Sequence, residues 1–435
     1  MLDLIIKNGQ CYIAGELKDV DVSIKDGKIQ SIGKINEEAK DIVDAKGLTV
    51  LPGCIDTQTH FREPGSTDTE DLHSGSRAAI AGGITAVFEM PNTNPPTSTK
   101  KEFQKKLDLA KNRMYCNYAF YFGATADNAN ELADLKNLEG CCGIKLFAGS
   151  STGNLLVAEE KDIETVFKNS SKVVAVHSED EEILNINKKL IKDGDVHSHP
   201  IWRSVECAMS STRRIVRIAE KHSKKAHVLH ITTKEEVDFL SQHKGNITFE
   251  ITPQHLTIYA PDCYDKLGTY AQMNPPIRDK SHYDRLWYAV KNNLNDTIGS
   301  DHAPHLKVNK DKKYPNSPSG MPGVQTLMPV MLNHVNDGKL SLNQLINLVC
   351  ENPVKIFGIK NKGSIREGYD ADFTIVDMNK KIVIKNENIE SKCGWSPFNG
   401  FEFKGTPVST IIAGKIKMQD GKIIGDPEGT PLEFS

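Results

Sequence analysis

Eight apolar, strand-like runs, each separated from the next by a longer polar or amphipathic stretch, constrain the fold of this chain more than any other feature. They fall at 48–56, 84–90, 116–122, 143–147, 173–177, 226–231, 247–251 and 297–301. Between several of them lie segments with apolar residues at helical spacing: 101–113, 179–192, 205–222, 234–243 and 283–294. Strands alternating with helices build parallel β/α architecture, and eight such strands is the number that closes a (β/α)8 barrel. After the eighth run come a polar loop at 305–319, two further helical candidates at 324–335 and 342–350, and Asn352-Pro353, so the barrel is expected to finish near residue 360.

The two ends of the chain have a different texture. Short apolar runs around Leu4-Ile5-Ile6 and Val20-Asp21-Val22-Ser23-Ile24 are punctuated by Asn8-Gly9 and Asp26-Gly27, and the style returns at Thr410-Ile411-Ile412 with Asp420-Gly421. Asn-Gly and Asp-Gly are hairpin signals because type I′ turns need positive φ. The expected organisation is α/β: residues 51–360 form a TIM-like (β/α)8 barrel, while 1–50 and 361–435 pair into one small β-sandwich domain.

Charge and cysteine usage narrow the partners. The net charge is −3 over 435 residues, with 38% hydrophobic and 26% charged residues. No basic stripe, acidic tail or long apolar segment follows, which argues against nucleic-acid and membrane partners and favours a soluble, cytoplasmic protein with a small-molecule ligand. The nine cysteines form no CxxC pair and read as reduced, buried thiols. Adjacent Cys141 and Cys142 would point to opposite faces of a strand, so they cannot share one ion.

Polar residues that bind metals gather where the strand candidates end. Gln58 and His60 follow the first run, Lys145 lies in the fourth, His177 ends the fifth, His230 is at the end of the sixth, and Asp301 ends the eighth. Strand C-termini of a (β/α)8 barrel converge on one face, so residues about 240 positions apart can share a site. Neutral imidazole and carboxylate suit a divalent ion such as zinc, and an open coordination position leaves room for a water or hydroxide nucleophile.

Several segments resemble the dihydroorotase family. The stretch Asp56-Thr57-Gln58-Thr59-His60-Phe61-Arg62-Glu63-Pro64-Gly65 is similar to the opening motif DxHxHFREPG, Met90-Pro91-Asn92-Thr93 to MPNT, Ile144-Lys145-Leu146-Phe147 to the strand bearing a carboxylated lysine, and Ser300-Asp301-His302-Ala303-Pro304-His305 to SDHAPH. Gly363 to Phe373 resembles the GxIxxGxDADxx stretch common to amidohydrolases. The resemblance covers essentially the whole chain and points to the long, class I form. It implies reversible hydrolysis of (S)-dihydroorotate to N-carbamoyl-L-aspartate, the ring-closing step of pyrimidine biosynthesis, in a homodimer. By position it implies His60, Lys145 and Asp301 around one zinc ion and Lys145, His177 and His230 around another, with Asp301 also shuttling a proton from metal-bound hydroxide to the leaving nitrogen. Arg62, Asn92, Asn274 and His305 would bind the substrate.

Gln58 departs from the pattern, which has histidine there. An amide oxygen is a poorer zinc ligand than imidazole, so the count is one or two ions, with the second site weakened. Two alternatives stay open: an allantoinase- or hydantoinase-like cyclic amidohydrolase, against which Arg62 and Asn92 argue, and a catalytically silent dihydroorotase-like partner protein, which Gln58 keeps alive.

Other signals carry less. His197-Ser198-His199 is an HxH pair, but it sits in a loop entering a helix before Pro200. Gly149-Ser150-Ser151-Thr152-Gly153 lacks the lysine of a phosphate loop and reads as a barrel loop near the substrate. His227, three residues before His230, is expected on the opposite strand face. The lysine- and proline-containing loop at 308–319 reads equally as a mobile lid or a solvated connection.

Overall fold

The computed structural model describes residues 1–151 and 155–435, so part of the Gly149 to Gly153 stretch lies outside the described residues. Eight strands form one sheet in sequential order: Cys54–Thr59, Ile84–Glu89, Asn117–Gly123, Cys141–Phe147, Val174–His177, Ala226–Val228, Ile247–Ile251 and Thr297–Ile298. Every neighbouring pair is parallel. The ring closes where Thr59 bridges His302 in parallel and the His60 N–H donates to the His302 carbonyl at 2.8 Å. A closed sheet has no free edge and sends all strand C-termini to one mouth.

Helices cover the outside for reasons written in the chain. In Val205–Lys221 the Ser204 hydroxyl accepts from Cys207 N–H, and the buried set Ala208, Thr212, Ile215, Val216 and Ala219 recurs at three and four residues. Leu72–Ala81 starts at Asp71 with a reciprocal capping box. That helix and Glu160–Asn169 escape the sequence reading, the first because it is rich in small residues, the second because only Ile163, Val166 and Phe167 are buried. Cys141 and Cys142 pack into different apolar clusters, as neighbours on a strand should.

The first run, expected at 48–56, divides. Thr49–Pro52 pairs with Phe373–Val383 and Gln10–Ile13 outside the barrel, and Cys54–Thr59 begins the barrel. Gly53 is the break: a Cβ there would stand 2.4 Å from Thr85 Oγ1 and 2.8 Å from Asp372 Cβ, so only glycine allows the two layers so close. The eighth run also shortens to two residues, because Ser300 N–H donates to Asp56 Oδ1 at 2.9 Å and Asp301 turns to φ 45°.

Strands from both ends of the chain form a β-sandwich, while the last residues, 429–435, return to the barrel. One sheet holds four strands, Lys28–Gly33, Asp21–Lys25, Leu2–Lys7 and Ala39–Asp44; the other holds seven, with Gln10–Ile13, Glu16–Asp19 and Thr49–Pro52 beside the C-terminal strands. Leu4, Ile6, Val22 and Ile24 pack against Phe373, Ile375 and Ile411 between the layers. Asp26-Gly27 and Asp420-Gly421 have positive φ at both positions and turn hairpins. Asn8-Gly9 does not make one. It passes the chain from one sheet to the other, and Gly9 is required because a Cβ would meet Val50 and Ala45 at 2.8 and 2.9 Å. Among the described residues no helix is long and apolar enough to cross a membrane.

Candidate active site

The mouth is assembled by a brace between the first and last barrel strands. The buried Asp56 carboxylate accepts from Gln58 N–H at 3.1 Å and Ser300 N–H at 2.9 Å, which sets Gln58 and Asp301 side by side. Gln58 Nε2 then donates to Asp301 Oδ1 at 2.9 Å, and His60 Nε2 lies 3.3 Å from the same oxygen. The other nitrogen of His60, Nδ1, meets Asn92 Oδ1 at 2.8 Å.

A second group forms beside it. His177 Nδ1 and His230 Nε2 are 3.1 Å apart, with the rings edge-on at 77°. His177 Nε2 is fixed at 2.8 Å from Glu179 Oε2, and Arg203 is hydrogen-bonded to that same carboxylate oxygen. Burial raises the Glu179 carboxyl, but Arg203 and His177 outweigh it and bring it down to about 2. Lys145, 1% exposed, points its amine over the Phe147 ring at 4.5 Å. Gln58, His60, Arg62, Asn92, Lys145, His177, His230, Asn274 and Asp301 line one pocket.

Burial dominates the electrostatics. It lowers His60, His177 and His230 and keeps these imidazoles neutral, with nearby Lys145 adding to the effect; in the Lys145 and Asp301 pair it pushes the amine down and the carboxyl up. Arg62 is 8% exposed and lowered to about 10 by burial. Its Nε donates to Pro304 O at 3.3 Å and its Nη2 lies 3.4 Å from His305 Nε2, while no carboxylate among the described residues pairs with it. His305 is not in the pocket wall. It reaches the pocket through Arg62 and through Ser319 O, 2.9 Å from its Nε2. Asn274 Nδ2 donates to Ser151 Oγ at 3.4 Å, and its Oδ1 lies 3.0 Å from His199 Nε2.

The donor set suits a divalent cation. Among the described residues Gln58 Oε1 and His230 Nδ1 are buried polar atoms without a hydrogen-bond partner, and neutral imidazoles offer lone pairs. Among the described residues no three His, Cys, Asp or Glu side chains gather closely enough to hold an ion alone. The histidines and Asp301 meet in pairs, so a complete shell draws on Lys145 or Gln58 in the same pocket.

One expectation is corrected. His227 does not face away from the barrel interior: its ring meets Thr248 Oγ1 at 2.8 Å and Thr297 Oγ1 at 3.2 Å, near Glu250. Two-residue periodicity fails because the strand stops at Val228 and His230 adopts φ 40°. Three contributors escaped the sequence reading. Glu179 follows His177 by two positions and was visible as a nearby carboxylate. His199, set aside in the sequence as half of an HxH pair, opens the short helix His199–Trp202, and Arg203 ends it; no local pattern signals the return of that helix to the site.

Comparison with known proteins bears on this site. The model of the amidohydrolase family matches residues 49–417. A dihydroorotase of Methanosarcina acetivorans is 34% identical over all of this chain and 96% of its own, and one from Pyrococcus furiosus is 35% identical over 94% and 91%. Among solved structures, an L-hydantoinase (dihydropyrimidinase) from Arthrobacter aurescens superposes with a TM-score of 0.94 at 29% identity, covering 99% of each chain. A D-hydantoinase matches at 0.92 and 29%, over 100% of this chain and 99% of its own.

Proposed function

We propose, from the premise that this chain belongs to the amidohydrolase family and groups there with the dihydroorotases, that it interconverts (S)-dihydroorotate and N-carbamoyl-L-aspartate as a step of pyrimidine biosynthesis. The observation that carries the substrate is Arg62: a buried guanidinium lining the pocket, with no internal carboxylate partner among the described residues. Such a charge calls for an anion from the ligand, and the fork geometry matches a carboxylate. Hydantoins lack that carboxylate, although the fold is shared with hydantoinases.

In hydrolysis a water oxygen bonds to the ring carbonyl carbon and the bond from that carbon to the ring nitrogen breaks. Asp301, shared by Gln58 and His60, carries the proton from that oxygen to the leaving nitrogen. Arg62, Asn92, Asn274 and His305 hold the substrate. His60, Lys145, His177, His230 and Asp301 would hold metal, zinc by family pattern, and the bound ion supplies Lewis acidity and an acidified water. Lys145, buried in the same pocket, would contribute as a carbamate formed with carbon dioxide. Gln58 weakens the ion position beside His60 and Asp301, so the working protein keeps one dominant ion. Nine free, buried cysteines support a cytoplasmic location.

The test is dihydroorotate hydrolysis by chelator-treated protein re-supplied with zinc and bicarbonate, with bound metal counted by elemental analysis. Turnover with one ion per chain is expected, and Gln58→His raises the count to two. Bound metal without turnover of dihydroorotate, but with turnover of a hydantoin, overturns the substrate assignment; no turnover of either favours a silent partner.

A further inference from the structure

The connection between sandwich strands Phe373–Val383 and Glu402–Ile412 does not turn back directly; residues 384–401 reach across to the barrel mouth. Its base is closed by Ile384 N–H to Phe401 O at 2.9 Å and Gly400 N–H to Ile384 O at 2.8 Å. Farther out, Lys392 Nζ donates to Thr67 O at 2.7 Å and Asp71 Oδ2 at 2.6 Å, and the Ser391 hydroxyl is bonded to the buried Glu70 carboxylate. At its far end Trp395, 1% exposed, donates Nε1–H to the backbone carbonyl of His305 at 2.7 Å.

The loop that His305 opens is exposed at 307–308, 311–313 and 315–316 and is pinned from its inner side. Lys310 is fully buried, donating to Pro318 O at 2.8 Å and Gln272 O at 3.2 Å. Gln272 Nε2 donates to Ser317 O and Ser319 Oγ, each at 3.0 Å, and Gly320 N–H donates to Gln272 O at 2.9 Å. These bonds fix the far half of the loop. Trp395 fixes the near half, at the peptide whose side chain meets Arg62 and Ser319. An indole N–H on that carbonyl sets the peptide plane, and the peptide plane sets where the imidazole lies.

We propose that Trp395 is a positioning residue for substrate carboxylate binding: it holds His305 and, through it, Arg62, so a connection of the β-sandwich completes the pocket of the barrel. This rests on the reading of Arg62 and His305 as the carboxylate-binding pair. Tyr270 packs edge-on against the indole at 4.8 Å, and Met273, Tyr314 and Met321 share its apolar cluster. Trp395→Phe removes the donor together with part of the buried ring volume. Benzothienylalanine placed at 395, with sulfur where the indole has N–H, removes the donor at nearly unchanged shape.

The expected result in both variants is a KM for dihydroorotate raised about fivefold, the loss of one neutral hydrogen bond, with kcat and bound metal unchanged. Amide hydrogen exchange should quicken in 303–320 while the barrel strands keep their protection. Unchanged KM and unchanged exchange overturn the proposal, as does a fall in kcat accompanied by loss of metal. If the unmodified protein fails to turn over dihydroorotate, the functional reading falls, and exchange in 303–320 alone decides whether Trp395 holds the loop.

Discussion

The two ends of the barrel are built on opposite terms. At the floor, Phe88 meets Phe357 edge-on at 4.9 Å and Phe434 at 6.2 Å, with Tyr121, Ile359 and Leu432 in the same cluster. The C-terminal residues seal that end through Leu432 N–H to Tyr118 O and Ser435 N–H to Gly358 O, both at 2.8 Å. At the mouth, Arg62, His230 and Asp301 stand at φ 61°, 40° and 45°, and Gln58 and His230 bury polar atoms without partners among the described residues. Left-handed backbone at non-glycine residues costs about 1–3 kcal/mol each, and such strain collects where a ligand or reaction repays it. The floor supplies stability that the mouth spends on placing charge.

Substitutions at the two ends should therefore separate activity from stability. The largest effect belongs to Asp301→Asn, which removes the proton carrier. Turnover should fall by roughly 10²–10⁴-fold, with the melting temperature of the metal-free protein held or raised because a desolvated acid is gone. Near-normal turnover would remove Asp301 from the chemistry. Phe88→Ala at the floor should do the reverse, costing about 3–5 kcal/mol in denaturant unfolding while each folded molecule keeps its turnover. Smallest is Arg62→Met, expected to lose about 1.5–3 kcal/mol of transition-state binding in kcat/KM toward dihydroorotate, without loss of stability. Equal loss on a substrate lacking the carboxylate would show that Arg62 shapes the pocket instead of reading the anion.

The contrast between the ends also explains which parts of the site were legible. His60, His177 and Asp301 sit at or just beyond strand ends, where an apolar run meets a polar residue, with Lys145 two residues inside its strand, and a barrel gathers such ends whatever lies between. Glu179 and Asp56 were in view as carboxylates near those ends, but their work, orienting His177 and bracing Ser300, depends on which atom each one faces. His199, Arg203 and Trp395 come from connections whose course no periodicity records. His227 was misread because a regular strand was assumed through a backbone that leaves it at Val228.

By itself, then, the sequence determined the alternation that makes an eight-stranded barrel and the turn-punctuated chain ends, because these follow from local periodicity and turn chemistry, and it placed histidines and Asp301 at strand ends; Lys145 as a ligand and Arg62, Asn92, Asn274 and His305 came from the family resemblance. Tertiary structure alone decided that Thr49–Pro52 belongs to the sandwich, that Gln58 donates to Asp301 across 243 positions, and that Trp395 holds His305 across 90. Those contacts depend on how separately specified segments come together in space, which no local pattern states; Gly53 permits the close approach only at the junction of sandwich and barrel, beside Thr85 and Asp372.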